Sequence, residues 1–183
     1  MRNTLKWAAL PLAVLTLAAC GERKGEVEAD GTVQPSSQTL AEAVKGDGAF
    51  DTLEKVVGNA GLGAVLESRG PYTVFAPADG AFESAGDDFA SDTMRAQAVA
   101  LLRSHIVPGA LTRRDIEAAI AADSDGKVEM RTMGDGMLTF SRDGEVLKIT
   151  APDGTTAQLT GVETIASNGV VQPIDGLLVK PAA

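Results

Sequence analysis

The apolar residues of this chain change their spacing at Lys127, from a period near 3.6 residues to a period of about 2. Side chains recur on one face of a helix at the first spacing and on one face of a strand at the second. Helices are therefore expected before Lys127 and strands after it, an α+β chain rather than a repeating βαβ one. Order is expected from near Thr39, where Thr39 and Glu42 have capping-box spacing and Leu40, Ala43 and Val44 form a short apolar face. Phe50, Leu53, Val56, Val57 and Ala60 predict an amphipathic helix broken by Gly58 to Gly63, and Leu62, Val65 and Leu66 a further helical piece. Tyr72 to Ala76 reads as a buried strand ended by Pro77. Ser91 to Ile106 predicts the longest helix, with Met94, Ala98, Leu101, Leu102 and His105 along one face. Pro108-Gly109 makes a turn, and Thr112 with Asp115 opens a helix carrying Ile116, Ala119 and Ile120.

Beyond Lys127 the apolar runs are short: Val128/Met130, Met137 to Phe140, Val146 to Ile149, Ala157/Leu159 and Val162 to Ile165. Asp135-Gly136, Asp143-Gly144 and Asp153-Gly154 punctuate them as the turns of an antiparallel meander. Asn168-Gly169 supplies another turn, expected at positive φ, before Val170-Val171 and Leu177 to Val179.

The amino-terminal end has a different character. Arg2 and Lys6 precede an apolar run from Trp7 to Ala18, and Leu17-Ala18-Ala19 leads into Cys20, the one cysteine of the sequence. A charged start, an apolar run and a small-residue exit describe an export signal, and the run falls short of the ~20 residues that span a bilayer. Leu-Ala-Ala-Cys resembles the bacterial lipoprotein signal. That resemblance implies removal of residues 1–19, a diacylglycerol thioether on Cys20 and acylation of the new amino terminus. Gly21, where an aspartate would suggest inner-membrane retention, implies delivery to the outer membrane, facing the periplasm or the cell surface. Two or three acyl chains make a lasting anchor at ~0.8 kcal/mol per buried methylene. Residues 20–37, charged and small, are expected to form a disordered tether with a reach on the order of 20–25 Å. Residues 38–181 remain as one domain, long enough for a core without disulfides. The chain carries a net charge of −9, and the expected loss of Arg2 and Lys6 makes it more acidic. Such a domain repels nucleic acid and anionic headgroups, so nucleic-acid function is not expected.

Three segments resemble the signatures of fasciclin-like domains. They are Tyr72-Thr73-Val74-Phe75-Ala76-Pro77-Ala78-Asp79-Gly80-Ala81-Phe82, then Leu101-Leu102-Arg103-Ser104-His105-Ile106-Val107-Pro108-Gly109, then Asn168-Gly169-Val170-Val171-Gln172-Pro173-Ile174-Asp175-Gly176-Leu177-Leu178. The resemblance implies one domain in which amino-terminal helices pack on an antiparallel β-wedge of two small sheets. It assigns structural roles to Thr73, Phe75, Pro77, Asp79, Phe82, His105, Pro108, Gly109, Asn168, Gly169 and Asp175. Read physically, Asp79 can cap the short turn that returns Phe82 to the core, and His105 on its apolar face is expected buried and neutral. The resemblance places the partners of His105 among Asp79, Asn168 and Asp175. Departures from the family pattern include Ser104, Ala78, Gln172 and Pro173, and Pro173 argues for an edge or bent strand. Where animal relatives often have an Asp-Ile pair linked to integrin binding, this chain has Thr164-Ile165, so that mode is not carried over.

Reactive constellations are scarce. His105 is the single histidine, which excludes His-rich metal sites. Ser104, its neighbour on a helix, points elsewhere and cannot serve it as a nucleophile. Gly58 to Gly63 lacks the spacing of a phosphate loop. Asp123-Ser124-Asp125-Gly126 lacks the twelfth-position carboxylate of a calcium loop, since Thr132 stands there, and is expected to be a turn. Asp87-Asp88 is expected to be a solvated loop. No cofactor, metal or catalytic residue is expected. The expected function is that of a monomeric, non-enzymatic adhesion or protein–protein interaction module, tied to a membrane through Cys20, with an unidentified protein or matrix partner. The alternative is a periplasmic binding module for a small hydrophobic ligand or a sugar, held between the helices and the sheet.

Overall fold

The computed structural model describes residues 36–180, apart from 86 and 87. The expected leader, Cys20, nearly all of the expected tether and Asp87 lie outside the described residues. Helices α1 (Leu40–Lys45), α2 (Asp51–Ala60) and α3 (Gly63–Glu67) come first, then strand β1 (Tyr72–Pro77) and helix α4 (Asp79–Ala85). A 3-10 turn (Asp92–Met94) leads into α5 (Arg95–His105), which passes directly into β2 (Ile106–Pro108). After α6 (Arg113–Ala122) come β3 (Lys127–Arg131), β4 (Met137–Asp143), β5 (Val146–Thr150), β6 (Thr156–Gln158), β7 (Thr164–Ala166) and β8 (Gly169–Ile174).

Local signals set several of these boundaries. Both expected capping boxes form, Thr39 with Glu42 and Thr112 with Asp115. Gly61, at φ 69°, ends α2 in the left-handed conformation that a side chain disfavours. The β4–β5 hairpin closes through Gly144-Glu145, with Gly144 at φ 63°. Asp125 N–H bonds the Asp123 carboxylate at 2.9 Å, so this acidic stretch is a turn.

Strands β3 to β6 form the expected antiparallel meander, while the other sheet has the order β2-β1-β8-β7. That sheet is mixed, because β1 and β8 run parallel, from Tyr72 beside Gly169 to Pro77 beside Ile174. The two expected small sheets are present, but only the meander is antiparallel throughout. No turn connects β1 to β8, so no local residue could specify their direction. The two sheets meet at a single antiparallel bridge, Leu159 to Ile174.

Strand β1 is buried on both faces, which is why it reads as an unbroken apolar run. Val74 and Ala76 join the cluster under the helices with Leu40, Leu53, Val56 and Leu101. Phe75 joins the cluster shared with α6 and the meander, 5.2 Å from the Phe140 ring centroid.

Several expected elements differ. The helix expected from Ser91 to Ile106 starts only at Arg95, after the 3-10 turn, and Ile106 already belongs to β2. Val162 lies before β7 and is 85 % exposed. Leu177 to Val179 is not a strand, although Leu177 and Leu178 are buried. Pro173 lies in an inner strand, but β7 pairs only with Gly169 to Val171. Past Val171 that side of β8 meets the Leu159–Thr160 stretch instead: Thr160 N–H donates to Pro173 O at 2.8 Å, and the Thr160 carbonyl takes the Arg113 guanidinium rather than an N–H from position 173.

Candidate functional site

The three signature segments, far apart in sequence, become neighbouring strands of one sheet. β1 lies between β2, which carries the histidine segment's end, and β8, which follows Asn168. Their polar residues bind backbone rather than one another. Asn168 is 8 % exposed, and its Oδ1 accepts from Leu40 N–H at 2.8 Å. Its Nδ2 donates to the carbonyls of Leu66 at 2.8 Å and Ser68 at 2.6 Å. One side chain thus fastens the start of α1 and the end of α3 to the β7–β8 turn. Asn168 is not at positive φ; the two turn residues are Ser167 and Asn168, and Gly169 is already paired with Ala166. Glycine is required at 169 because a Cβ there would collide with the carbonyl oxygen of Tyr72.

His105 is fully buried. Its Nδ1 bonds the Leu101 carbonyl at 2.7 Å, and its Nε2 accepts from Leu178 N–H at 2.9 Å. These bonds fix the neutral tautomer with the proton on Nδ1. Burial lowers the pKa to about 4, against the raising effect of the Leu101 bond. The expected partners, Asp79, Asn168 and Asp175, are not those found. The last signature does supply one, through the backbone of Leu178, which side-chain chemistry in the sequence cannot announce.

The other signature residues are fasteners too. Thr73 Oγ1 donates to Gly109 O at 2.7 Å and accepts from Leu111 N–H at 2.8 Å, holding the chain that leaves β2. Pro108 is exposed, and Gly109, at φ 111°, donates its N–H to Pro71 O at 2.9 Å. Asp79 does not cap its own turn; it accepts from Thr52 N–H at 2.8 Å and so caps α2 from outside. Phe82 packs edge-on against Phe89, and Pro77 is buried at the end of β1. Asp175 accepts from Gln158 N–H at 2.7 Å, tying β6 to the end of β8. Asp79, His105 and Asp175 each bind main-chain groups, and none of those bonds joins one of the three to another. Ser104 Oγ bonds Ala100 O at 3.0 Å.

One cluster was not foreseen. Gln172, fully buried, donates from Nε2 to Leu111 O at 3.1 Å and to Glu163 Oε2 at 2.5 Å. The same Glu163 oxygen accepts from Arg113 N–H at 2.7 Å, and the Arg113 guanidinium bonds the carbonyls of Thr160 and Gly161. A glutamine inside Val170-Val171-Gln172-Pro173-Ile174 signals a buried amide, but Glu163 and Arg113 meet it only through the fold.

Beside this cluster lies an open groove of about 450 Å³. Gly46, Asp47, Ala49 and Phe50 line it from the α1–α2 connection, and Thr160 to Ile165 with Ala78 and Pro173 line the rest. Among the described residues, no group of three or more His, Cys, Asp or Glu stands where it could hold a metal ion.

Fold and site together define an α+β module whose signature side chains organise backbone. A family model described as Fasciclin domain matches residues 48–180, and the chain belongs to that family. Protein sll1483 of Synechocystis sp. is 31 % identical over 151 residues, covering 80 % of this chain and 76 % of its own. Human stabilin-1 is 31 % identical over 157 residues, covering 82 % of this chain, which corresponds to 6 % of stabilin-1. Among solved structures, the FAS1 domain pair of the insect cell adhesion molecule fasciclin I superposes with a TM-score of 0.61 at 25 % identity. That match covers 74 % of this chain and 47 % of the domain pair.

Proposed function

We propose that this chain is a lipid-anchored protein of the bacterial cell envelope whose fasciclin domain acts in adhesion or protein–protein interaction, without chemistry of its own. The observation that carries the reading is the engagement of five polar signature residues in holding backbone. Asn168, His105, Thr73, Asp79 and Asp175 each bind main-chain groups, so the family signature builds a scaffold and leaves function to its surface. The kinship with a cell adhesion molecule, fasciclin I, favours a surface that binds proteins or matrix. Lipid on Cys20 would place that surface at a membrane, on the outer-membrane side by resemblance of its signal. Attachment of cells lacking the protein, with capture of an envelope partner by the soluble domain, tests this. Unchanged attachment together with no captured partner contradicts it.

A second reading, a binding module for a small hydrophobic ligand or a sugar, is favoured by the groove between the α1–α2 connection and the Thr160 to Ile165 stretch. A thermal-shift screen separates the two, because a ligand that binds the native state raises its apparent stability by mass action.

A further inference from the structure

Asn168 is followed by glycine, and this is the one Asn-Gly pair in the sequence. Glycine offers no side chain to hinder attack by its own amide nitrogen on the preceding carboxamide, which makes such pairs prone to lose ammonia. In this fold the pair cannot be changed at Gly169, since any Cβ would strike the Tyr72 carbonyl. The asparagine is equally constrained. It must accept at Oδ1 from Leu40 N–H and donate at Nδ2 to the carbonyls of Leu66 and Ser68. A carboxylate could accept from Leu40 but would set a negative oxygen against two carbonyl oxygens at a site 8 % exposed.

The geometry points to Asn168 as a covalent modification site: the clasp protects it while closed, and its modification prevents the clasp from closing again. In the reaction the Gly169 nitrogen bonds to Cγ of Asn168 as the Cγ–Nδ2 bond breaks. The proton from Gly169 N leaves with the amide nitrogen, and a second from the medium's acid–base exchange is not required in net balance: the amide –NH2 and that proton depart as ammonia. Water then adds to one carbonyl of the resulting five-membered imide. Breaking the Cγ–N bond as water adds at Cγ, with a proton of the water passing to the nitrogen, gives aspartate; the same cleavage at the main-chain carbonyl gives its β-linked isomer. Both products replace the donor Nδ2 by an acceptor, and the isomer also lengthens the backbone in a two-residue turn. In the closed clasp the leaving nitrogen is bonded twice and the side chain is buried, so reaction waits on release of α1 and α3 from the β7–β8 turn.

The test holds the full chain in buffer and in urea at one pH and temperature, and follows the replacement of amide by acid at Asn168 by peptide mass analysis. Folding should slow the reaction by about ten-fold or more, and a smaller effect overturns the proposal. The partly modified urea sample is then returned to buffer and given a brief protease pulse. The digested fraction should carry the acid at position 168 and the resistant fraction the amide; an even distribution overturns the second half of the proposal. Asn168→Ser, which has no carboxamide, should keep its own melting temperature after the same urea treatment. If that variant does not fold, the partition in the wild-type sample alone decides.

Discussion

The burial of His105 couples the stability of this protein to pH. Its pKa is lowered from 6.5 to about 4 by burial, so the unfolded chain binds a proton over a range where the folded chain does not. Stability from this group is therefore complete above that window and is lost as the pH falls through it, by ~3 kcal/mol in all. Urea midpoints measured across the window should fall with acid, and in His105→Leu this one-proton contribution to the slope should disappear. The same substitution strands Leu178 N–H and should lower the unfolding free energy by ~2 kcal/mol at neutral pH. An unchanged melting temperature would show that the histidine is not a core organiser. Asn168→Ala should destabilise more than His105→Leu in the same urea assay, since it leaves three backbone groups unpaired. The burial of His105 was legible from its place on the apolar face of α5. Its partners were not, because both are main-chain groups and one lies beyond the last strand.

Three helix ends rest on signals a few residues long, and these were readable: two capping boxes and the glycine stop of α2. Thr39→Ala should cost about 1 kcal/mol in denaturant unfolding, because Thr39 accepts from Glu42 N–H at the start of α1. The meander was legible for the same reason, since hairpins are local. The other sheet was less so. Apart from the β7–β8 hairpin, its strands are joined through helices and through the whole meander, and the parallel pairing of β1 with β8 rests on tertiary contacts. Thr73→Val should be costly in a way that strand propensity does not foresee. It removes the bonds to Gly109 and Leu111 that hold the exit from β2, and a loss of ~1–3 kcal/mol in urea titration is expected.

For the whole molecule, the proposed anchor is expected to be separable from the domain. Cys20→Ser should release the protein from the membrane fraction while leaving the circular dichroism spectrum and melting temperature of the domain unchanged. A variant that stays membrane-bound and normally processed would contradict the anchoring proposal. The division between helical and strand regions, the caps and the turns follow from the sequence alone, because each depends on residues within one or two turns of backbone. The sequence also marked His105, Asn168 and Thr73 as structural residues through the family resemblance. Which groups they hold was decided only by the tertiary structure. A backbone amide is the same at every residue, so its choice of partner depends on where the chain returns and not on what is written at that position. The groove and the Gln172–Glu163–Arg113 cluster belong to the same category: they exist where distant segments meet, and no single segment carries their signature.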